Sequence, residues 1–187
     1  LGDVYKRQMI DFSNKLVPLI ETPRAIDTVT QIAAFKDVVG LFFGAADSSA
    51  SLGCKLAWEP LLYARQKVVL AAAMYNLFTI DAPFFYMDDK EGLKKEAEAV
   101  KNLGFTGKAA IHPDQIDFIN ESFAPTSEEI AEGKKVLEEY QKSGGGAVKI
   151  DGQMVDEPIA EAMRLKISLG EEEAVSYTHL RAHETVT

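Results

Sequence analysis

The sequence is most constrained by four short apolar runs that alternate with helical stretches, each run ending near a titratable side chain. Lys15–Ile20 closes at Glu21, Val38–Phe43 reaches Asp47 through Gly44, Leu77–Ile80 closes at Asp81, and Lys108–Ile111 stops at His112-Pro113. Between them, Ala25–Lys36 has helical spacing through Ile26, Val29, Ile32 and Ala33. Trp58–Met74 is long and Ala-rich, with Pro60 in its first turn, and Asp88–Leu103 is amphipathic and ends at Gly104. Strand–helix alternation of this kind predicts an α/β fold with a parallel sheet. In such folds ligands sit outside the carboxyl ends of the strands.

The alternation stops after His112. Thr126 with Glu129 forms a capping-box pattern ahead of a helix over Ser127–Ser143. Gly144-Gly145-Gly146 reads as a joint. Ala147–Ile150 is a short hydrophobic stretch that leads into DGQMVDEP, and a helix follows from Glu157 to about Leu169. The two ends do not fit this scheme. Leu1–Gln8 (LGDVYKRQ) and Val175–Thr187 (VSYTHLRAHETVT) have neither apolar period nor cap, and they resemble translated sequencing-adapter ends. The expected organisation is therefore a non-native end over 1–8, the strand–helix region over 9–125, a C-terminal helix and lid segment over 126–174, and a second non-native end over 175–187. His179 and His183 then play no part.

Composition excludes several classes of function. Hydrophobic residues make up 47% of the 187 and charged residues 26%, which is ordinary for a globular domain and unlike a disordered chain. A net charge of −9 disfavours nucleic acid and anionic lipid as partners, since Lys and Arg supply affinity for both. No apolar run approaches the ~20 residues of a membrane span. Cys54 is the only cysteine, so no internal disulfide can form, and a reducing, cytoplasmic setting is expected. With one cysteine and one credible histidine, zinc has no ligand spacing to use. Crowded carboxylates at one rim suit Mg²⁺, which binds through one or two carboxylates plus waters and substrate oxygens.

Each singled-out residue also has a plainer reading. Glu21 reads first as a helix-start carboxylate ahead of Pro23. Asp47 suits a turn, and Asp156 suits a helix cap before Glu157-Pro158. Asp81 before Ala82-Pro83 reads as satisfying backbone donors in a turn, and His112 as holding the loop after the fourth run. Arg65 and Lys67 read as solvated or paired, and Cys54 as a small buried hydrophobe. Gly44–Gly53 (GAADSSASLG) reads as a loop of small residues that lets backbone N–H groups approach an anion, although it is neither a Walker A loop nor a GxGxxG.

Five segments in order carry a family resemblance: LIETPRAI (19–26), GLFFGAADSSASLG (40–53), TIDAPF (79–84), GFTGKAAIHPDQI (104–116) and DGQMVDEP (151–158). Together they resemble the HpcH/HpaI aldolase and citrate lyase family. The last two point to its acyl-CoA lyase branch, the citrate lyase β-subunit-like, malyl-CoA and citramalyl-CoA lyases. The resemblance implies the C-terminal half, strands five to eight, of a TIM (β/α)₈ barrel, followed by a helical C-terminal lid. It implies that the chain is a fragment, since such a barrel typically needs ~250 residues.

By position, the resemblance makes Glu21 and Asp47 Mg²⁺ ligands. It makes the backbone N–H groups of Ala45, Ala46 and Ser48 donors to a substrate carboxylate. Position 48 is commonly Leu in the family pattern and is Ser here. Asp156 becomes an acid/base that reaches a neighbouring subunit's site in a homotrimer or larger homo-oligomer. The implied reaction is Mg²⁺-dependent carbon–carbon cleavage of a citryl-, malyl- or citramalyl-CoA type thioester to an acyl-CoA and a 2-oxo acid, with the fragment itself inactive. A class II pyruvate-type aldolase acting on free 2-oxo acids and a non-catalytic thioester-binding subunit are the alternatives.

Overall fold

The computed structural model describes residues 15–144, 146–164, 167 and 168. Both expected non-native ends lie outside the described residues, apart from which the chain divides between Phe123 and Ala124 into two compact units.

The first unit is built on a four-stranded, all-parallel sheet in the order β1-β2-β3-β4: Leu19–Ile20, Gly40–Phe43, Phe78–Asp81 and Gly107–Lys108. Its register pairs Leu19 with Phe42, Gly40 with Phe78 and Ile80 with Gly107. Parallel neighbours need crossover connections, and helices supply them. Helices α1 (Pro23–Asp27) and α2 (Val29–Ala33) join β1 to β2. Helices α3 (Ala45–Leu52) and α4 (Trp58–Ala73) join β2 to β3, and α5 (Lys90–Leu103) joins β3 to β4. A short 3₁₀ turn, Pro113–Gln115, and α6 (Ile116–Phe123) follow.

Ile20, Leu41 and Phe43 from the strands are fully buried against Val29, Leu61, Val68, Ala71 and Val100 from the helices. The alanines on α4 allow it to lie close over the sheet. Gly40 is needed for a related reason, since a Cβ there would overlap the ring of its register partner Phe78.

The elements differ from the sequence expectation in physically legible ways. The first run forms only two residues of strand because Pro18 has no N–H to donate. Pairing resumes on its far side as an isolated bridge between Leu16 and Val38. The single helix expected over Ala25–Lys36 is two short helices. Thr28 sits between them, and its hydroxyl donates to the Arg24 carbonyl at 2.9 Å, which competes with the regular helix ladder. The segment after Gly44 is a helix rather than a loop. Its Ala-Ala-Asp-Ser-Ser-Ala run favours helix between Gly44 at the N-cap and Gly53, which takes the left-handed conformation (φ 66°) that ends it.

The second unit holds α7 (Ser127–Lys142), an antiparallel hairpin of β5 (Val148–Ile150) and β6 (Gln153–Val155), and a helix over 157–164. The capping box is present: the Thr126 hydroxyl accepts from the Glu129 N–H, and the Glu129 carboxylate accepts from the Thr126 N–H. The hairpin turns on Asp151 (φ 49°) and Gly152 (φ 91°). Both residues take the positive φ of the two-residue turn that matches strand twist. Val136, Tyr140, Ile150, Val155 and Ala160 form this unit's core. Among the described residues no helix is long and apolar enough to cross a membrane.

Candidate metal and substrate site

Because β1 and β2 run parallel, their carboxyl ends open on the same edge, and the sheet brings Glu21 and Asp47 together. Glu21 follows β1 directly, and Asp47 lies in the first turn of α3 just beyond β2. The two carboxyl groups lie close enough to act on one another. Burial, first, and then the adjacent Asp47 carboxyl hold Glu21 above the ordinary carboxylate value. A carboxylate at the start of a helix also meets the positive end of its dipole, which favours Asp47 where it stands.

Gly44 makes this approach possible. Its N–H donates to the Ile20 carbonyl at 2.9 Å, which ties the two strand ends together. A Cβ on Gly44 would fall 2.6 Å from Glu21 Cβ and 3.0 Å from Glu21 Oε2. The absent side chain is the space that Glu21 occupies.

The three expected backbone donors are only partly available. Ser48 donates its N–H to the Gly44 carbonyl at 3.2 Å, inside the helix, so its assignment as a carboxylate donor is corrected. The physical reason is the helix itself, in which the fourth residue already has an acceptor one turn back. Ala45 and Ala46 occupy the first two positions, whose N–H groups have no intrahelical partner.

Two neighbouring carboxyl groups, one of them held above its ordinary value, suit a hard divalent cation. Such an ion needs oxygen ligands and relieves their repulsion. Among the described residues no group of three or more His, Cys, Asp or Glu side chains gathers for a metal. The donor set is therefore two carboxylates beside two backbone N–H groups. It fits a cation that takes its remaining ligands from water or substrate, with an anionic group oriented next to it.

The raised Glu21 value makes a prediction for stability. A carboxylate held above its unfolded value favours the folded state while protonated. That contribution is complete below the unfolded value of 4.5 and is lost as pH rises through the higher folded value. Without metal, the thermal midpoint of the wild-type chain should therefore fall relative to Glu21→Gln as pH rises from below 4.5 to neutrality. A difference that stays constant across that range would show that Glu21 is not perturbed.

The other rim candidates take different places. His112 is half exposed, and its Nδ1 accepts the Asp114 N–H at 3.2 Å, which holds the turn after β4. Cys54 is half-buried against the main core. Lys67 donates to the Asp27 carbonyl at 3.2 Å. Asp81 departs most from expectation. It is fully buried, and instead of closing a turn it accepts from Arg65 Nε and Lys108 Nζ, each at 2.8 Å. Lys108 also donates to Glu96 at 2.6 Å and to the Ala82 carbonyl at 2.7 Å. The Arg65 guanidinium stacks 4.8 Å from the Trp58 ring centre and 5.2 Å from that of Phe43. This ion network pins β3 and β4 to α4 and α5 behind the rim.

The sequence of the HpcH/HpaI aldolase/citrate lyase family matches residues 10–113, which includes Glu21, Gly44 and Asp47. The chain belongs to this family. It is 35% identical over 159 residues to the citrate lyase subunit beta of Haemophilus influenzae, covering 82% of this chain and 55% of that protein. It is 31% identical over 180 residues to the mitochondrial citramalyl-CoA lyase of Rattus norvegicus, covering 88% and 53%. Among solved structures, CitE from Mycobacterium tuberculosis in complex with magnesium, acetoacetate and coenzyme A aligns with a TM-score of 0.77 and 30% identity, covering 84% of this chain and 61% of that one. The chain thus spans about half the length of the curated relatives it matches.

Asp156 lies in the second unit, as the cap of the helix over 157–164. Its carbonyl accepts the Ala160 N–H at 2.9 Å, and its Oδ1 accepts the Ile159 N–H at 3.4 Å. The plain capping reading therefore holds, with Asp156 half-buried. Next to it, Arg164 and then the Tyr140 hydroxyl hold Glu157 below the ordinary carboxylate value, and Arg164 pairs with it at 2.6 Å. Burial and Glu157 push the Tyr140 phenol up. The start of this helix is thus fastened to α7.

Proposed function

We propose that the whole protein is a Mg²⁺-dependent carbon–carbon lyase that cleaves a carboxylated 3-hydroxyacyl-CoA to an acyl-CoA and a 2-oxo acid. The single observation that carries this reading is the Glu21–Asp47 pair, set beside the first N–H groups of α3 and made possible by Gly44. Similarity to proteins named for citrate lyase and citramalyl-CoA lyase, and to a CitE complex holding magnesium and coenzyme A, supports the substrate class.

In this proposal Glu21 and Asp47 hold the cation, and the Ala45 and Ala46 N–H groups orient the substrate carboxylate. When bound, Mg²⁺ supplies a template for substrate oxygens and Lewis-acid polarisation. Cleavage breaks the bond between the hydroxyl-bearing carbon and the carbon next to the thioester. The hydroxyl proton passes to solvent water, the oxygen becomes the keto oxygen of the 2-oxo acid, and the electron pair of the broken bond passes to the acyl-CoA carbon. Asp156, contributed by a neighbouring copy in a homo-oligomer, delivers the proton that this carbon needs. The segment bearing Asp156 favours thioesters over free 2-oxo acids as substrates.

The same proposal places β1–β4 as the later half of a (β/α)₈ barrel, with the second unit as its lid. The test is release of acetyl-CoA from malyl-CoA, citramalyl-CoA or citryl-CoA by the full-length protein, with and without Mg²⁺. Mg²⁺-dependent release that Glu21→Ala abolishes is the expected result. No release from any of the three thioesters would end the lyase reading.

A further inference from the structure

Each donor and acceptor in the ion network behind the rim can be followed until one end is left open. Asp81 uses both oxygens, one for Arg65 and one for Lys108. Lys108 uses three donors, on Asp81, Ala82 and Glu96. Arg65, 3% exposed, spends Nε on Asp81, while its Nη1 is buried and meets no acceptor among the described residues. A buried guanidinium N–H left in this state is costly, and native structures rarely tolerate it.

Arg65 lines a small cavity of ≈ 20 Å³ beneath the start of α3 and the 83–86 loop, and Glu96 lines the same cavity. About 10–15 Å³ suffices for one water molecule, provided that polar partners face it. Glu96 has spent one oxygen on Lys108, and its side chain is 21% exposed, so its carboxylate can accept a further hydrogen bond. The remaining lining is mostly apolar, with Leu61, Phe84 and Phe85 among its residues, and Tyr86 also contributes to it.

We propose that this cavity is a specific binding site for one water molecule, which accepts from Arg65 Nη1 and donates to the Glu96 carboxylate. The water closes a ring that runs Arg65, Asp81, Lys108, Glu96 and back to Arg65. Two cations and two anions already balance around the ring, so a neutral occupant preserves that balance. A halide would add a negative charge on a wall shared with Glu96. The proposal rests on this network alone and is independent of the lyase reading.

The test is a high-resolution crystal structure of the protein grown in sodium bromide. The expected result is a peak without bromide anomalous signal, within hydrogen-bond distance of both Arg65 Nη1 and a Glu96 oxygen. A bromide anomalous peak in the cavity, a peak that touches Arg65 but not Glu96, or no peak at all would each overturn the proposal. In solution, a cross-relaxation signal between water and the Arg65 guanidinium protons is expected in the wild type. It should be lost in Glu96→Leu, and its persistence there would overturn the bridging role. A thermal melt confirms that Glu96→Leu remains folded.

Discussion

Replacing Asp81 with alanine should cost about 3–5 kcal/mol of folding stability, a large share of the roughly 5–15 kcal/mol that holds a domain together. Asp81 is 0% exposed and is the shared acceptor of Arg65 and Lys108, themselves 3% and 7% exposed. Among the described residues, its removal leaves Arg65 with no charged partner and Lys108 with Glu96 and a carbonyl. Both cations stay in the layer between sheet and helices, where water cannot reach them readily. Glu96→Ala removes a partly exposed acceptor from the same network and should cost far less, on the order of 1 kcal/mol. Urea unfolding of the two variants beside the wild type checks this. Equal losses would show that Asp81 has no special place in the network.

The second large effect is expected at Gly44, a residue with no side chain to contribute. Its backbone (φ −100°) is open to any residue, so conformational strain is not the issue. A methyl group there would sit 2.6 Å from Glu21 Cβ and 3.3 Å from Leu19 Cδ1. Glu21 Cβ is fixed by its own backbone and cannot rotate away, so the strand end must shift. Overpacking of this kind costs about 1–3 kcal/mol. The larger consequence concerns Mg²⁺: Gly44→Ala should weaken its binding, measured by titration calorimetry, about as much as Glu21→Ala does. Gly107→Ala, where nothing lies within 4 Å of the added carbon and φ is not positive, should leave Mg²⁺ binding unchanged. Undiminished affinity in Gly44→Ala would remove Glu21 from the proposed metal site.

These two positions also show how far the sequence could be read. The four apolar runs and the amphipathic Lys90–Leu103 helix were legible because burial imposes a period on the chain. Placement at strand ends gave four rim candidates, Glu21, Asp47, Asp81 and His112, and the family resemblance singled out Glu21 with Asp47 among them. The Asp81 network was not legible, because a charged residue at a strand end looks the same whether it faces the rim or the helix layer. Arg65 and Lys108 sit 16 positions before and 27 positions after it, with no period linking them. The helix over Ala45–Leu52 was missed because small residues carry little hydrophobic signal, although Gly44 and Gly53 mark both of its ends. The β5–β6 hairpin carries a local signal in the sequence, the Asp151-Gly152 pair between two short strands.

The parallel ladder and that hairpin also set an order of assembly. Asp151 and Gly152 bring β5 and β6 together across two residues, a closure that takes microseconds. Every pairing in the larger sheet waits for an intervening helix crossover before its first ladder bond can form, and loop-closure entropy slows such contacts. The segment that carries Asp156 can thus take its local shape while the strands bearing Glu21 and Asp47 are still searching for their neighbours.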